Sequence, residues 1–382
     1  MLAVILPMLR WSLLLLAVAL LPLALLTVVK SPDWSEWKLA LLAGEYGHWL
    51  ALVPVLLGAL AWWTRGASAG VAVATALLCA LAVGLFLRPC LEAWKLGGAL
   101  PGQLARQFGP VALARPPFSF SALFGAAPAP VPAETAVFSG DLSLDFYRAV
   151  GQTRAPCVLL IHGGGWDGGS RTEIVHFTHW LAHQGYAVAA LDYRLAPHAV
   201  WPAQRDDTVA ALAYLKTHSA RLGLDPTRFV LLGRSAGGNI AQAVAYTAGD
   251  PAIRGVIALY APADLHFAWQ YSREDDVLKS PQLLRQFLGG PPADARAAYD
   301  SSSGYLHVSP STPPTLLVHG QLDTLVWHRQ SERLAARLGE HHVPHAFVSL
   351  PWATHAFEFN LAGPGGQLAT FSIEWFLAAV TK

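Results

Sequence analysis

Charge is in short supply in this 382-residue chain: Asp, Glu, Lys and Arg make up 13% of it, about half the usual share for soluble domains. The shortage is local. Before Arg88 the sequence is almost entirely Leu, Ala and Val, whereas after about Pro128 it has the mixture of an ordinary globular protein. The net charge is +1 and there is no run of Lys or Arg, so nucleic acid finds no electrostatic footprint here. Cysteine is scarce too. Cys79, Cys90 and Cys157 are the only three; without a Cys-x-x-Cys pair they exclude a disulfide framework. EHHVPH, with His341, His342 and His345, sits in a helix-to-strand turn without Cys partners and reads as a solvated turn, so no metal is expected.

What the first 95 residues do have is long apolar runs. Residues 11–29 and 67–87 carry no charge, and 45–63 has an apolar core that extends backwards through Gly47 and His48. About 20 apolar residues span the hydrocarbon core of a bilayer, and Trp11, Trp34, Trp37, Trp62 and Trp63 stand at the ends of the runs, where their rings suit the interface. The expectation is a membrane region of three transmembrane helices in contact with lipid. With the N-terminus inside, Arg10 and Arg65 would be internal and Lys30, Lys38, Arg88 and Lys95 external. The positive-inside rule therefore leans, by two charges, to the opposite orientation, with the C-terminal part cytoplasmic.

Residues 96–135 are rich in Gly, Pro and Ala and read as a linker or partial cap. From 136 to 382 short apolar runs (CVLLIH, AVAALDY, RFVLLG, GVIALYA, TLLVHG, HAFVSL) alternate with helix-period segments. Such runs fit strands covered on both faces, and the alternation predicts an α/β domain with a mostly parallel sheet and helices on both faces. Ser170 and Glu173 have the spacing of a capping box for the first of its helices. Residues 261–310, between two strands, form a predicted lid.

Gly-x-Ser-x-Gly, the pattern around a nucleophilic serine, occurs twice, at 66–70 and 233–237. With 33 glycines in the chain the pattern alone proves little, and its strand–turn–helix context decides. Ser68 sits in a short turn between two predicted membrane helices, where small residues are ordinary. Ser235 has the context: VLLGRSAGGNIAQAVA is strand, sharp turn and helix. A serine hydroxyl needs a base oriented by a carboxylate. Asp323 follows a predicted buried strand and His355 lies in a loop after the next, so a parallel sheet brings both to the edge that carries Ser235. Singly, they read as well as a helix-capping Asp and a surface His. The glycines of HGGGW, Gly163, Gly164 and Gly165, leave backbone N–H groups free to turn inward and, with the amide of Ala236, to receive an oxyanion. No Gly-Lys-Ser/Thr follows them and the dinucleotide spacing is absent, so a phosphate cradle is a poor fit.

HGGGW at 162–166, DYRLAP at 192–197, GRSAGG at 233–238, DTLV around Asp323 and the His355 loop occur in the order found in the hormone-sensitive-lipase-like branch of the α/β-hydrolases, which residues 136–382 resemble. The resemblance implies an α/β-hydrolase fold and a cofactor-free carboxylic ester hydrolase working through an acyl-enzyme. It makes Ser235 nucleophile, His355 general acid/base and Asp323 its orienter. It places Trp166 at the pocket wall; separately, the aromatics of the predicted lid make Phe267 and Trp269 candidate acyl contacts, with packing against the sheet as the alternative. His198 after DYRLAP and Arg234 in the elbow depart from the family, which often has an acid at either place. The membrane region lies outside the resemblance and directs attention to a small-molecule or lipid ester. An acyltransferase using the same acyl-serine is the alternative enzyme, a membrane-bound binding module with an inactive site the non-enzymatic one, and a peptidase fits less well because no propeller or large extra domain precedes the hydrolase.

Overall fold

The computed structural model describes residues 2–66 and 69–382. The first serine motif, with Ala67 and Ser68 at its centre, lies outside the described residues.

Five helices open the chain: α1 (Leu2–Leu25), α2 (Trp34–Glu45), α3 (Gly47–Leu50), α4 (Leu52–Trp63) and α5 (Ala69–Phe108). By length and composition α1 and α5 are able to cross a bilayer. The apolar run at 45–63 lies mostly in the segment Gly47–Trp63, which is bent by 82° from α2 and counts as a third candidate span only if the bent pair crosses as one. Gly47, next to the bend, lies directly on the backbone of α5: a Cβ there would come 2.3 Å from the Phe86 carbonyl oxygen. The 12 residues of α4 rise about 18 Å at 1.5 Å per residue.

The third expected span does not end at Leu87. α5 runs on for 40 residues and passes through the first third of the expected linker. Its buried positions, Ala72, Thr75, Cys79, Ala82, Phe86, Cys90, Ala93, Gly97, Leu100 and Leu104, with Pro89 beside Cys90, recur at intervals of three and four apart from that pair, so a single stripe stays on one side of the helix throughout. The first half of the stripe packs against α1 and α4, and the second half against the C-terminal domain. Pro89 stands inside the helix, where the missing N–H leaves the carbonyl four residues back without a donor. The Thr27 hydroxyl, at the end of α1, supplies one: it is 3.1 Å from the Leu85 carbonyl and 2.8 Å from that of Ala24.

The C-terminal domain follows as β1 (Ala133–Ser139), β2 (Leu142–Tyr147), β3 (Ala155–Ile161), α6 (Val175–His183), β4 (Ala187–Leu191), α7 (Ala203–Thr217), α8 (Ser219–Leu222), β5 (Leu224–Arg234), α9 (Ala236–Thr247) and β6 (Ile253–Leu259). The expected lid region carries α10 (Leu265–Tyr271), α11 (Ser280–Leu288) and α12 (Arg296–Ser302); β7 (Thr315–Gly320), α13 (Arg329–Glu340), β8 (His345–Leu350) and α14 (Pro364–Val380) complete the chain. The eight strands lie in the order β1-β2-β4-β3-β5-β6-β7-β8. β1 and β2 are antiparallel additions; from β4 to β8 the sheet is parallel. β3, β4 and β7 are buried almost continuously, as strands covered on both faces must be. β1 falls partly within the expected linker, and its alternating exposed and half-buried residues mark an edge.

The other edge, β8, is closed by α5. Gln103 donates to the Phe347 carbonyl at 2.9 Å and Gln107 accepts from the His345 amide at 3.3 Å. Two side chains one helical turn apart thus occupy the hydrogen-bonding groups of a strand that would otherwise template aggregation. The Ser170–Glu173 capping box does not form. α6 begins at Val175 with no side-chain cap, because the Glu173 carboxylate turns to Arg234, 3.2 Å away.

Thr27 is fully buried. Thr27→Val keeps its shape and removes the donor to Leu85, an expected loss of about 1 kcal/mol or more, read as a lower thermal midpoint in detergent. Thr27→Ser should recover most of that loss.

Candidate active site

β5 ends at Arg234 and α9 begins at Ala236, so Ser235 occupies a one-residue turn between central strand and helix. Its φ of 52° and ψ of −121° are strained for a residue with a side chain. Close packing enforces the turn. A Cβ on Gly233 would lie 2.1 Å from the Gly237 carbonyl oxygen, and one on Gly237 would lie 2.2 Å from that of Ile161. The two glycines of the motif are therefore steric necessities, and the serine stands at the N-terminus of α9, where the helix dipole favours negative charge.

Asp323 lies just past β7 and His355 in the loop after β8. The His355 Nδ1–H donates to Asp323 Oδ2 at 2.7 Å, which leaves Nε2 as the basic nitrogen. The second carboxylate oxygen accepts from the Leu325 and Val326 amides at 2.8 and 2.9 Å. His319, unnoticed in the sequence, adds a further contact: its Nε2 is 3.2 Å from Asp323 Oδ2 and 3.0 Å from the Val326 carbonyl, and its Nδ1 is 2.8 Å from the Ser331 hydroxyl. Between two acceptors, Nε2 carries the proton. Burial by itself would raise the Asp323 pKa; the charge of His355 and the hydrogen bonds from His319 and His355 outweigh it and hold the carboxyl well below its usual range. Ser235, Asp323 and His355 line one cavity of about 910 Å³. The Ser235 hydroxyl makes no direct hydrogen bond to His355 there, a contact that commonly tightens only around substrate.

Gly163, Gly164, Gly165 and Ala236 line the same cavity, and their amides donate to no other backbone group among the described residues. Gly163 is the nearest to the serine: a Cβ on it would be 3.4 Å from the Ser235 Cβ. Gly164 adopts a φ of 103°, and a Cβ there would strike the Gly168 carbonyl at 2.4 Å. Gly165 is turned toward Leu283 of α11. The loop is held from beneath. The Tyr193 ring stacks on His162 at 4.2 Å and its hydroxyl donates to the His162 carbonyl at 3.2 Å, while His162 Nδ1 bonds the Gly163 carbonyl at 2.7 Å. Burial lowers the His162 pKa, which keeps the ring neutral.

Arg234, the departure in the elbow, is buried with its Nε 2.5 Å from Glu358 and 3.0 Å from the Tyr260 hydroxyl, which also hydrogen-bonds Glu358. The Tyr260 ring packs on His355 with centroids 4.1 Å apart. Arg234 thereby ties the serine turn to the histidine loop. Its counter-charges, Glu173 and Glu358, lie 61 residues before it and 124 after it, too far for any local motif to reveal. His198 is exposed.

Of the candidate pocket residues, Trp166 and Phe267 line the cavity, and Trp166 stacks on Phe287 at 4.4 Å. Trp269 does not. Two positions after Phe267 on α10 it points to the opposite side of the helix, where it meets Tyr299 edge-on at 6.2 Å beneath the Arg285 guanidinium.

A wall of the cavity comes from outside the C-terminal domain. Lys30, Ser31, Pro32, Trp34 and Trp37, in the α1–α2 connection and the first turn of α2, line it as well. Lys30 Nζ donates to the Asp323 carbonyl at 3.1 Å, and the Ser31 and Thr324 hydroxyls are 3.1 Å apart. Burial lowers the Lys30 pKa, with the Asp323 charge pulling the other way.

Known proteins agree with this architecture. The BD-FAE family model matches residues 144–338, just over half of the chain, ending before His355. Probable carboxylic ester hydrolase LipM of Mycobacterium tuberculosis is 29% identical over 237 residues, which cover 59% of this chain and 54% of that protein. The chain spans about half the length of the curated relatives it matches first. Among solved structures, the Pyrobaculum calidifontis esterase superposes with a TM-score of 0.59 at 21% identity, covering 75% of this chain and 94% of that one. A bacterial heroin esterase gives a TM-score of 0.59 at 22% identity over 69% and 88% of the two chains. At that identity the likeness is one of fold: an α/β-hydrolase with a mostly parallel sheet. The family match extends the kinship to sequence, and the chain belongs to the BD-FAE family of α/β-hydrolase esterases.

Proposed function

We propose that this protein is a membrane-anchored serine carboxylic ester hydrolase that works through an acyl-serine. The observation that carries the reading is the Asp323–His355 hydrogen bond in the cavity that also holds Ser235 and a loop of unpaired amides. With Nδ1 committed to Asp323, His355 Nε2 takes the Ser235 proton as Oγ attacks the ester carbonyl carbon. The oxyanion draws hydrogen bonds from the amides of Gly163, Gly164 and Ala236, with Gly165 in reserve on the lid side. The imidazolium, stabilised by the buried Asp323, gives its proton to the departing alcohol oxygen. Water, deprotonated by the same Nε2, then attacks the acyl-serine; the bond to Ser235 Oγ breaks, Nε2 returns the proton to that oxygen, and the acid is released. No cofactor enters this sequence.

Anchoring is supported by α1 and α5, each long and apolar enough to span, and by the side chains they and α4 turn outward. Leu15, Leu56, Leu77 and Trp63 are each two-thirds exposed or more. Large apolar side chains exposed to this extent call for a lipid or protein cover. In this reading Lys30, Lys38, Arg88 and Lys95 lie at the domain-side end of the bundle and Arg10, which bonds the Thr64 carbonyl at 2.5 Å, lies at the far end with Arg65. The positive-inside rule then assigns the catalytic domain to the cytoplasmic face.

Ser235→Ala is expected to reduce p-nitrophenyl ester hydrolysis by about five orders of magnitude or more, and Asp323→Asn by about four, with Ser68→Ala at wild-type rate. Wild-type activity in Ser235→Ala would overturn the assignment. Added alcohol acceptors should change product ratios little; dominant ester exchange would make the enzyme a transferase. The full chain should remain in the membrane pellet after alkaline carbonate extraction, and a C-terminal fluorescent fusion should be protected from external protease in intact cells.

A further inference from the structure

The connection between α1 and α2 is built into the active site at a definite place. Lys30 and Ser31 are fastened to Asp323 and Thr324, on the side of the cavity where the carboxylate orients His355. Arg88 holds the Thr27 carbonyl at 2.6 Å, and Asp33 caps α2 by accepting from the Glu36 amide at 2.8 Å. The far end of α2 is fastened as well: Glu45 accepts from the Gly365 amide at 2.9 Å and, through its carbonyl, from Asn360 at 3.0 Å. Tied at both ends, α2 presents Trp34 and Trp37, their rings 4.7 Å apart, to the cavity.

Two facts fix what this wall faces. The alcohol oxygen of an ester has to lie beside His355, which protonates it, so the His355–Asp323 side of the cavity receives the alcohol portion. Gly165, Trp166 and Leu283 are grouped on the oxyanion-loop side and are left for the acyl portion. The wall also follows directly on the apolar helix α1, which ends at Leu25, so it stands next to the segment that would lie in lipid. At about 910 Å³ the space is near the upper limit of the roughly 300–1,000 Å³ of small-molecule sites.

Building on the serine esterase reading, we propose that the natural substrate is an ester of a long-chain, membrane-resident alcohol. Its alcohol chain passes along Trp34 and Trp37 into the bilayer while a shorter acyl group occupies the Trp166–Leu283 side. The α1–α2 connection is then the specificity element for the leaving group.

Two substrate series test this with the full-length enzyme in detergent: alkyl acetates from ethyl to octyl, and p-nitrophenyl esters from acetate to octanoate. In the wild type kcat/KM for the alkyl acetates should rise up to about fourfold per methylene, the equivalent of ~0.8 kcal/mol for each buried CH₂. Trp34→Ala/Trp37→Ala should flatten that rise and leave the slope of the acyl series as in the wild type, which makes the acyl series the internal check on folding. Trp49→Ala, an exposed tryptophan packed on Phe124 away from the cavity, should change neither slope. An alcohol series that is flat in the wild type, or equally steep in the double variant, overturns the proposal, as does a double variant that flattens the acyl series instead. Hydrolysis that survives Ser235→Ala would sink the esterase reading itself; Ser235-dependent hydrolysis with unaltered slopes sinks only this inference.

Discussion

The Asp323 carboxylate is the group on which this protein is organised. It is buried to 1% exposure, where an unpaired charge would cost several kcal/mol. It remains ionised because each oxygen is filled: one by two backbone amides, the other by His355 and His319. That arrangement fixes the loop after β7, the tautomer of His355 and the direction of its free nitrogen. The same residue offers its backbone carbonyl to Lys30, so the orienter of the imidazole is also the point of attachment for the N-terminal region.

A second constraint joins the two parts of the molecule. A flexible tether would leave the N-terminal helices and the C-terminal domain free to turn against each other. α5 removes that freedom, since one uninterrupted stripe packs first on apolar helices and then on the sheet. At Pro89 the Thr27 hydroxyl, just past the end of α1, lies within hydrogen-bond distance of the carbonyl that the proline leaves without a donor. α5 also closes the open edge of the sheet with two glutamines. The apolar helices, the wall of the cavity and the brace thus all lie in the first 108 residues, and the orientation of the cavity relative to the apolar surface follows from their packing.

The parts that were legible in sequence are those that local chemistry dictates. Strands buried on both faces must be continuously apolar, so β3, β4, β5, β6 and β7 could be read within a few residues of their ends. Glycines forced by steric contact at 233 and 237 marked the serine turn, and chain order alone put Asp323 and His355 at the same sheet edge. Where local signals competed with tertiary partners, the reading failed. Ser170 and Glu173 have capping-box spacing, but the buried Arg234 claims the glutamate. Pro89 and the glycines after it resemble a helix end and a linker, but packing on both domains sustains the helix. Phe267 and Trp269 look equivalent in a lid, yet two residues of helical rotation separate a cavity wall from a packing contact.

The sequence by itself determined the class of the C-terminal domain, the apolar character of the N-terminal helices and the candidate serine, aspartate and histidine, because periodicity, steric demand at glycine and strand order are properties of short segments. Only the tertiary structure decided that His319, Arg234, Glu358 and Tyr260 surround that machinery, that α5 is a brace and that the α1–α2 connection walls the cavity. Those depend on contacts such as Lys30 with Asp323, 293 residues apart. Interactions over that distance leave no pattern in either partner's neighbourhood and come into being only when the helices and the sheet pack.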